Sequence, residues 1–204
     1  MMRKSKSNYR DNNFIKWLKT ILPQPTINEV IKCFHIGTSR QLTGGTIFWQ
    51  IDKDFNIHRG KIIVYGNDGH KQYFGSVHKQ LAIPHEKYPP VCWFGSHLLS
   101  GSSKPVAIVE SEKTAIIASA YYPDFDWIAT TSLALLKPEY ATPIIGRNVV
   151  LFPDLGATER WTEKAESLRY FCNIKVSNYL ESIATPEERE AGLDIADFLI
   201  RDKQ

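Results

Sequence analysis

The pattern of hydrophobic and polar positions predicts two helical segments near the start of the chain. Residues 14–22 place apolar side chains at helical spacing, and Pro23 and Pro25 end the segment. Residues 27–34 form the second helical segment, which Asn28 is placed to cap. The preceding polar and basic residues predict a disordered tail. The tail and helices are interpreted as a cover for the core, and the alternative is a basic arm with an accessory helix.

From Gly44 onward the pattern changes to strands. Residues 46–51, 57–65 and 71–74 are rich in β-branched and aromatic side chains, and turn residues separate them. The second turn, Gly66-Asn67-Asp68-Gly69, is a strong hairpin signal. This region is predicted to be an antiparallel meander that ends in a linker rich in Ser and Gly.

After Pro105 the chain alternates between buried strands and helices. The predicted strands cover residues 106–109, 127–130, 148–152 and 174–176, and the predicted helices cover residues 112–121, 158–171 and 195–200. Repeated strand–helix units imply a parallel sheet with right-handed crossovers and flanking helices. The predicted fold class is therefore α/β, with a small antiparallel β-rich subdomain before the parallel sheet. The predicted divisions are 1–41 (basic tail and accessory helices), 42–104 (β-rich subdomain) and 105–204 (α/β domain).

Composition adds limits on class and compartment. The 204 residues are 43% hydrophobic, which suffices for a real core, and the net charge of +3 permits an anionic partner without requiring one. Three widely spaced cysteines form no CxxC pair, so neither a disulfide framework nor a zinc site is indicated. No apolar stretch has the length of a membrane helix. We therefore expect a cytoplasmic protein with reduced thiols and no membrane association.

Acidic residues follow the buried strands of the α/β region. Glu110 comes directly after one strand, Asp154 follows another, and Asp194 and Asp197 stand at the start of the last helix. The carboxyl ends of parallel strands meet at one edge of a sheet, where ligands bind. Carboxylates at that edge suit a divalent cation such as Mg²⁺. For each acid alone, a solvated strand end or a helix cap is the competing interpretation.

These segments resemble a known family. Val-Ala-Ile-Val-Glu110-Ser-Glu-Lys-Thr-Ala resembles the glutamate motif of Toprim domains, which DnaG-type and phage primases, topoisomerases and related nucleases share. Val-Val-Leu-Phe-Pro-Asp154 is similar to the start of their second motif, and Gly-Leu-Asp194-Ile-Ala-Asp197-Phe-Leu to the acidic segment that closes the domain in primases. Residues 45–65 are similar to the β-rich subdomain of primases. The resemblance covers residues 42–202 and is nearest to uncharacterised Toprim-containing proteins of mobile elements.

The resemblance implies roles for these acids. Glu110 would act as a catalytic general acid/base, and Asp154, Asp194 and Asp197 would hold Mg²⁺ or Mn²⁺. The implied function is that of a primase-like Toprim protein, which binds single-stranded DNA or nucleotides and performs or assists phosphoryl transfer during mobile-element DNA replication. The implied partners include a helicase or another replication protein.

One departure from the family bears on activity. The second Toprim motif is Asp-x-Asp, whereas this chain has Asp154-Leu155-Gly156. Metal binding that is weak or absent is therefore an alternative, and it leaves open whether the protein is an enzyme. The competing interpretation is a non-catalytic Toprim-fold module that binds DNA or a protein. A third interpretation, in which Asp154 is a phosphoacceptor, has less support because it requires an acid pair beside it.

Nucleic-acid binding would depend on cations, since Lys and Arg contacts to phosphate dominate affinity. The predicted binding residues are Arg59, Lys61, Lys71, Lys79 and Lys113. The aromatic residues Trp49, Tyr65 and Trp93 are predicted either to stack on bases or to fill the core, with the core favoured for Trp49.

Overall fold

Residues 2–201 are described in a computed structural model, and the backbone divides into two units between Cys92 and Trp93. The helices of the first unit are α1 (Met2–Ser5), α2 (Asn13–Ile21), α3 (Gln24–Cys33) and α4 (Val77–Gln80). Its strands are β1 (Gly37–Thr38), β2 (Gly45–Ile51), β3 (Ile57–Tyr65) and β4 (Lys71–Ser76). The strands of the second unit are β5 (Val106–Val109), β6 (Asp126–Ala129), β7 (Asn148–Leu151) and β8 (Asn173–Val176). Its helices are α5 (Glu112–Tyr121), α6 (Thr158–Glu166), α7 (Tyr179–Ile183), α8 (Pro186–Ala191) and α9 (Ile195–Arg201).

In the first unit the strands form an antiparallel sheet in the order β1-β2-β3-β4. One face of this sheet packs against α2 through an aromatic cluster, in which the ring of Phe14 lies 5.5 Å from that of Phe48 and 5.0 Å from that of Tyr65. The other face carries a second core that includes Ile47, Trp49 and Ile62. The alternation of side chains along β2 accounts for the two cores, because neighbouring residues of a strand face opposite sides.

The start of the chain is folded, so the prediction of a disordered tail is wrong for residues 2–13. Ser5 in α1 is buried, and its hydroxyl accepts a hydrogen bond of 3.1 Å from the indole N–H of Trp49. Asn12 is also buried; its side chain caps α2 and bonds to Thr38 and Thr46. These long-range contacts hold a polar segment whose composition alone favours disorder.

In the second unit the strands form a parallel sheet in the order β6-β5-β7-β8. Alternate residues of β5 and β7, including Val106 and Ile108, pack on one face against Trp161 and Leu168 from the α6 region. The opposite face of the sheet is the side of α5, which packs against α9. The predicted α/β fold class, a parallel sheet with flanking helices after an antiparallel sheet, is confirmed.

Several predicted boundaries differ from the structure. Helix α3 begins at Gln24 instead of Ile27, and Pro23 instead of Asn28 occupies the capping position. Pro25 is accommodated in the first turn, where a missing N–H costs nothing. Helix α6 ends at Glu166, before the predicted end at Phe171.

The segment before β5 belongs with the parallel sheet. Trp93 is fully buried in the core of the second unit, and Phe94 forms a bridge with Ala129 at the end of β6. The three-part division into 1–41, 42–104 and 105–204 stays a prediction. Within residues 2–201, no helix is both long enough and apolar enough to cross a bilayer.

Candidate active site at the carboxyl edge of the parallel sheet

Glu110 and Asp154 follow neighbouring strands. Strand β5 pairs with β6 on one side and with β7 on the other, so the chain leaves β5 in one direction and returns on its opposite side. In open α/β sheets such a reversal of strand order opens a crevice at the carboxyl ends of the two strands, and ligands bind there. Glu110 directly follows β5, and Asp154 is the third residue after β7. The two acids are therefore delivered to this crevice.

A backbone contact brings Asp154 close to the start of α9. The N–H of Leu155 donates a hydrogen bond of 3.0 Å to the carbonyl of Leu193, the residue before Asp194. Burial raises the pKa of Asp154 to about 7, with further increases from the negative charges of Asp194, Glu110 and Asp197. The four predicted site acids thus lie within one electrostatic cluster.

Asp194 and Asp197 are also structural residues of α9. The Oδ1 atom of Asp194 accepts hydrogen bonds from the N–H groups of Ala196 and Asp197, at 2.8 and 3.2 Å. In return, Oδ2 of Asp197 accepts from the backbone N–H of Asp194 at 3.0 Å. This reciprocal arrangement has the geometry of a capping box and satisfies donors that the first turn leaves open.

Thr114 connects Asp194 to the glutamate motif. The Thr114 hydroxyl donates to Oδ2 of Asp194 at 2.5 Å, and Ser111 caps α5 by accepting from the N–H of Thr114 at 3.2 Å. Burial raises the pKa of Asp194 and Asp197 raises it further, whereas the Thr114 hydrogen bond and the charge of Lys113 lower it. Thr114 was not among the predicted site residues; the signal available for it was its position three residues after the N-cap Ser111.

Gly156 occupies the place of the second aspartate of the family motif. Its φ of +75° lies in the left-handed region that favours glycine, and a Cβ atom at this position would meet no heavy atom within 4 Å. Its N–H donates to Oε1 of Glu181 at 2.9 Å. The backbone conformation, and not lack of space, therefore opposes a side chain here.

Lys113 faces the acids. Its positive charge lowers the pKa of both Asp154 and Asp194, which places it at the acidic cluster.

Within residues 2–201, no group of three or more His, Cys, Asp or Glu side chains is arranged to hold a metal ion together. Mg²⁺ is commonly held by one or two carboxylates, with waters and substrate phosphate as its other ligands.

Thr131 is a strained residue at the same edge. Its φ of +67° is unusual for a β-branched side chain, and its N–H donates to the carbonyl of Glu110 at 2.9 Å. Strain of this kind is concentrated at functional sites, where the surrounding structure maintains it. The sequence Ala129-Thr130-Thr131-Ser132 gave no signal of this conformation.

The predicted nucleic-acid-binding cations of the first unit differ in their surroundings. Arg59 on β3 donates from Nε to the carbonyl of Pro89 at 2.8 Å and lies over the ring of Tyr88, so it holds the proline-containing loop. Lys61 is partly buried on β3, whereas Lys71 on β4 and Lys79 on α4 are exposed.

The three aromatic residues proposed as stacking candidates are buried. Trp49 is 2% exposed, Tyr65 4% and Trp93 0%, which leaves no ring face for a base. Exposed aromatic side chains of the first unit include Phe55 in the turn between β2 and β3, at 59%, and Tyr73 and Phe74 on β4, at 49% and 59%. Lys61 places its Nζ atom 5.7 Å from the ring centroid of Phe74.

Comparison with known sequences identifies one family. The sequence profile of the family described as "Domain of unknown function (DUF6371)" matches residues 12–155, which include Glu110 and Asp154. No curated protein matches the sequence.

Comparison with solved structures finds primase catalytic cores. The DnaG primase catalytic domain bound to ssDNA matches with a TM-score of 0.52 at 15% identity, over 98% of this chain and 80% of that one. The primase fragment of the bacteriophage T7 primase-helicase protein matches with a TM-score of 0.48 at 14% identity, over 80% of this chain and 69% of that one. The E. coli primase catalytic core matches with a TM-score of 0.44 at 13% identity, over 91% of this chain and 66% of that one. The first match shows that the chain has the fold of a primase catalytic domain, as the sequence analysis predicted.

Proposed function

The chain belongs to the family described as "Domain of unknown function (DUF6371)", and we propose that it is a primase-like Toprim protein. In this proposal it binds single-stranded DNA or nucleotides together with a divalent cation, and it performs or assists phosphoryl transfer. The sequence resemblance supplies the setting, which is replication of mobile-element DNA alongside a helicase or another replication protein.

The arrangement of Glu110 and Asp154 carries the proposal. Both follow strands that flank the reversal of strand order, and burial, together with the negative charges of the neighbouring acids, raises the pKa of Asp154. Uncompensated carboxylates at a ligand crevice are costly without a cation, and phosphoryl transfer uses such a cation. This placement supports a phosphate-handling site.

The donor chemistry fits Mg²⁺ or Mn²⁺. Carboxylate oxygens are the ligands that these ions prefer, and Glu110 and Asp154 are the residues that would hold the ion. Asp194 already accepts hydrogen bonds at both carboxylate oxygens, so it contributes negative charge more than a ligand. The ion would neutralise charge that develops on a transferring phosphoryl group.

The chain's own residues would position the reacting groups. Glu110 would take the proton of an attacking hydroxyl, as the resemblance implies, and the hydrogen bond from Thr131 holds the backbone of Glu110 in place. Lys113 would face the phosphate of a substrate at the acidic cluster, where it already lowers the pKa of Asp154. The substrate's phosphate would thus contact the cationic side chain of Lys113 on α5.

The proposed DNA contacts lie in the first unit. Lys61, Lys71 and Lys79 would contact phosphates, and Phe74 offers an exposed ring on which a base can stack. Arg59 would act indirectly, because it already bonds to the loop at Pro89.

Calorimetric titration of the metal-free protein with Mg²⁺ or Mn²⁺ tests the metal site. We expect binding in the wild type, weakened strongly by Glu110→Gln and by Asp154→Asn. Asp124→Asn, which removes an exposed carboxylate before β6, serves as the matched control and should bind as the wild type does. Absence of binding at millimolar metal in the wild type would contradict the enzymatic proposal.

Fluorescence anisotropy of a labelled single-stranded oligonucleotide tests the DNA contacts. Affinity should fall steeply as salt rises, and Lys61→Gln or Lys71→Gln should each reduce the slope of log K against log salt by about 0.7. Lys53→Gln is the control, since Lys53 pairs with Asp54 in the turn between β2 and β3. A flat salt response would remove DNA from the proposal.

A second function is favoured by Gly156 and by the capping role of Asp194. If Asp194 and Asp197 mainly cap α9, and Gly156 leaves the second motif without its second acid, the protein is a DNA-binding module without phosphoryl transfer. DNA binding that is unchanged by metal, by Glu110→Gln and by Asp154→Asn, with no primer synthesis by the wild type, would support this second function.

A further inference from the structure

Asp154 is the first residue of a β-turn that joins the β7 segment to α6. The N–H of Ala157 donates to the carbonyl of Asp154 at 3.0 Å and closes the turn. Gly156 is the third residue of the turn, and its φ of +75° is the left-handed conformation that type II turns have there. Because Asp154 is part of this turn, whatever holds the turn also sets the direction of its carboxylate.

Two further N–H groups anchor the turn to distant segments. Leu155 donates to the carbonyl of Leu193 at 3.0 Å, and Gly156 donates to Oε1 of Glu181 at 2.9 Å. The first anchor is a backbone group, which any residue supplies. The second anchor is a carboxylate on α7, and hydrogen bonds to ionised acceptors are among the stronger ones. Glu181 is therefore the anchor that depends on residue identity.

Glu181 also contacts the start of the helix that follows the turn. The hydroxyl of Thr158, the first residue of α6, donates to Oε1 of Glu181 at 3.4 Å. Ala157 stands at the N-cap of α6, where no side-chain hydrogen bond caps the helix. A carboxylate near a helix N-terminus is favourable, because the helix dipole is positive there. One carboxylate thus holds both the turn and the start of α6.

Ion pairs hold Glu181 itself in place. Arg189 on α8 donates to Oε2 of Glu181 and to its backbone carbonyl. On the same helix, Glu188 pairs with Arg201 of α9 and forms a capping box with Thr185. These pairs join α7, α8 and α9. The support of Glu181 is therefore continuous with the helix that begins next to Asp194.

Glu181 acts on Asp154 through the backbone and not as a further acid of the cluster. Burial raises the pKa of Asp154, and the charges that raise it further are those of the acidic cluster, not that of Glu181. Arg189 balances the charge of Glu181, and both carboxylate oxygens of Glu181 already accept hydrogen bonds. These contacts suit a residue that holds the backbone of Asp154.

We propose that Glu181 is a positioning residue for Asp154, which it directs into the crevice by holding Gly156 and the start of α6. The inference rests on the proposed function for the role of Asp154, but the bonds that carry it do not involve metal. It also gives Gly156 a use, since glycine adopts the turn conformation that presents its N–H to Glu181.

Hydrogen exchange of backbone amides, followed by NMR in metal-free buffer, tests the hold on the turn. In Glu181→Ala the amides of Leu155, Gly156 and Ala157 should exchange at least about tenfold faster, while the core amides of β5 keep their wild-type rates. Glu190→Ala removes an exposed carboxylate from α8 and is the matched control, with all rates unchanged. Faster exchange at Gly156 alone would overturn the proposal, because the turn would then hold without Glu181.

Calorimetric titration with Mn²⁺ tests the consequence for the metal site. Glu181→Ala should weaken binding about tenfold, as removal of groups that orient metal ligands commonly does. Glu181→Gln keeps an acceptor oxygen for Gly156, so it should weaken binding less, and Glu190→Ala should bind as the wild type does.

The outcomes separate this proposal from the proposed function. Equal Mn²⁺ affinity in Glu181→Ala and the wild type would overturn the positioning role and leave the metal site intact. If the wild type does not bind Mn²⁺, the proposed function is contradicted instead. The exchange rates of the turn amides then decide by themselves whether Glu181 positions the Asp154 turn.

Discussion

The hydroxyl of Thr114 donates a 2.5 Å hydrogen bond to Oδ2 of Asp194 and so joins the first turn of α5 to the residue that precedes α9. Helix α5 begins just after Glu110, and Asp194 neighbours Asp154 electrostatically. This bond therefore connects the glutamate motif to the acidic segment, because Thr114 and Asp194 are 80 positions apart in sequence.

Thr114→Val should destabilise the protein by about 2 kcal/mol, because Thr114 is buried and its hydrogen bond to a carboxylate is lost. The pKa of Asp194 should rise further, since this bond lowers it. Urea unfolding at pH 8 measures the loss. Thr162→Val is the control: its hydroxyl bonds to a carbonyl within α6, and we expect a change within about 0.5 kcal/mol. Equal losses in the two variants would contradict the assigned role of Thr114.

The pKa of Asp154, raised to about 7 mainly by burial, makes stability depend on pH. The unfolded carboxyl loses its proton near pH 3.8, before the folded one does, so stability falls between about pH 4 and 7 and then stays low. Asp154→Asn should remove this fall and stabilise the metal-free protein above pH 7 by up to about 4 kcal/mol, at about 1.36 kcal/mol per pKa unit.

Unfolding curves of the wild type and Asp154→Asn across this pH range provide the measurement. Asp124→Asn should follow the wild type, because Asp124 is exposed. Parallel pH profiles for the wild type and Asp154→Asn would show that the carboxyl is not perturbed.

Thr131→Gly should stabilise the protein by about 1 kcal/mol. The left-handed conformation at φ +67° costs a β-branched residue more than it costs glycine. Thr131→Val keeps the branching and so should bring no gain, which separates backbone strain from the loss of a hydroxyl. Thermal unfolding measures both variants, and a gain in Thr131→Val as large as in Thr131→Gly would exclude strain as the cause.

Gly156→Asp should increase Mg²⁺-dependent stabilisation at a cost of about 1 kcal/mol without metal. The cost comes from the left-handed backbone, and the gain comes from a further carboxylate beside Asp154. Gly146→Asp is a matched control, because Gly146 has a φ of +73° and open space around it. Thermal unfolding with and without millimolar Mg²⁺ should show the metal response in Gly156→Asp alone. The same response in Gly146→Asp would mean that added charge, and not position, is responsible.

Local patterns in the sequence were enough to predict most of the fold. The bounds of β3 and β5 and the capping of α5 by Ser111 follow from residue types within a few positions, and the structure has them as predicted. Strand–helix alternation also determined that the sheet is parallel, which sends Glu110 and Asp154 to one edge. Strand, helix and cap formation depend on neighbours in the chain, so a single sequence records them.

Only the tertiary structure decided what those residues contact. The strand order that makes β5 and β7 neighbours, the burial of Trp49 beneath α1, and the double use of Asp194 all rest on residues far apart in sequence. The strained backbone at Thr131 likewise needs its partner Glu110 to maintain it. Such contacts exist only after distant segments pack together, and local periodicity carries no record of them.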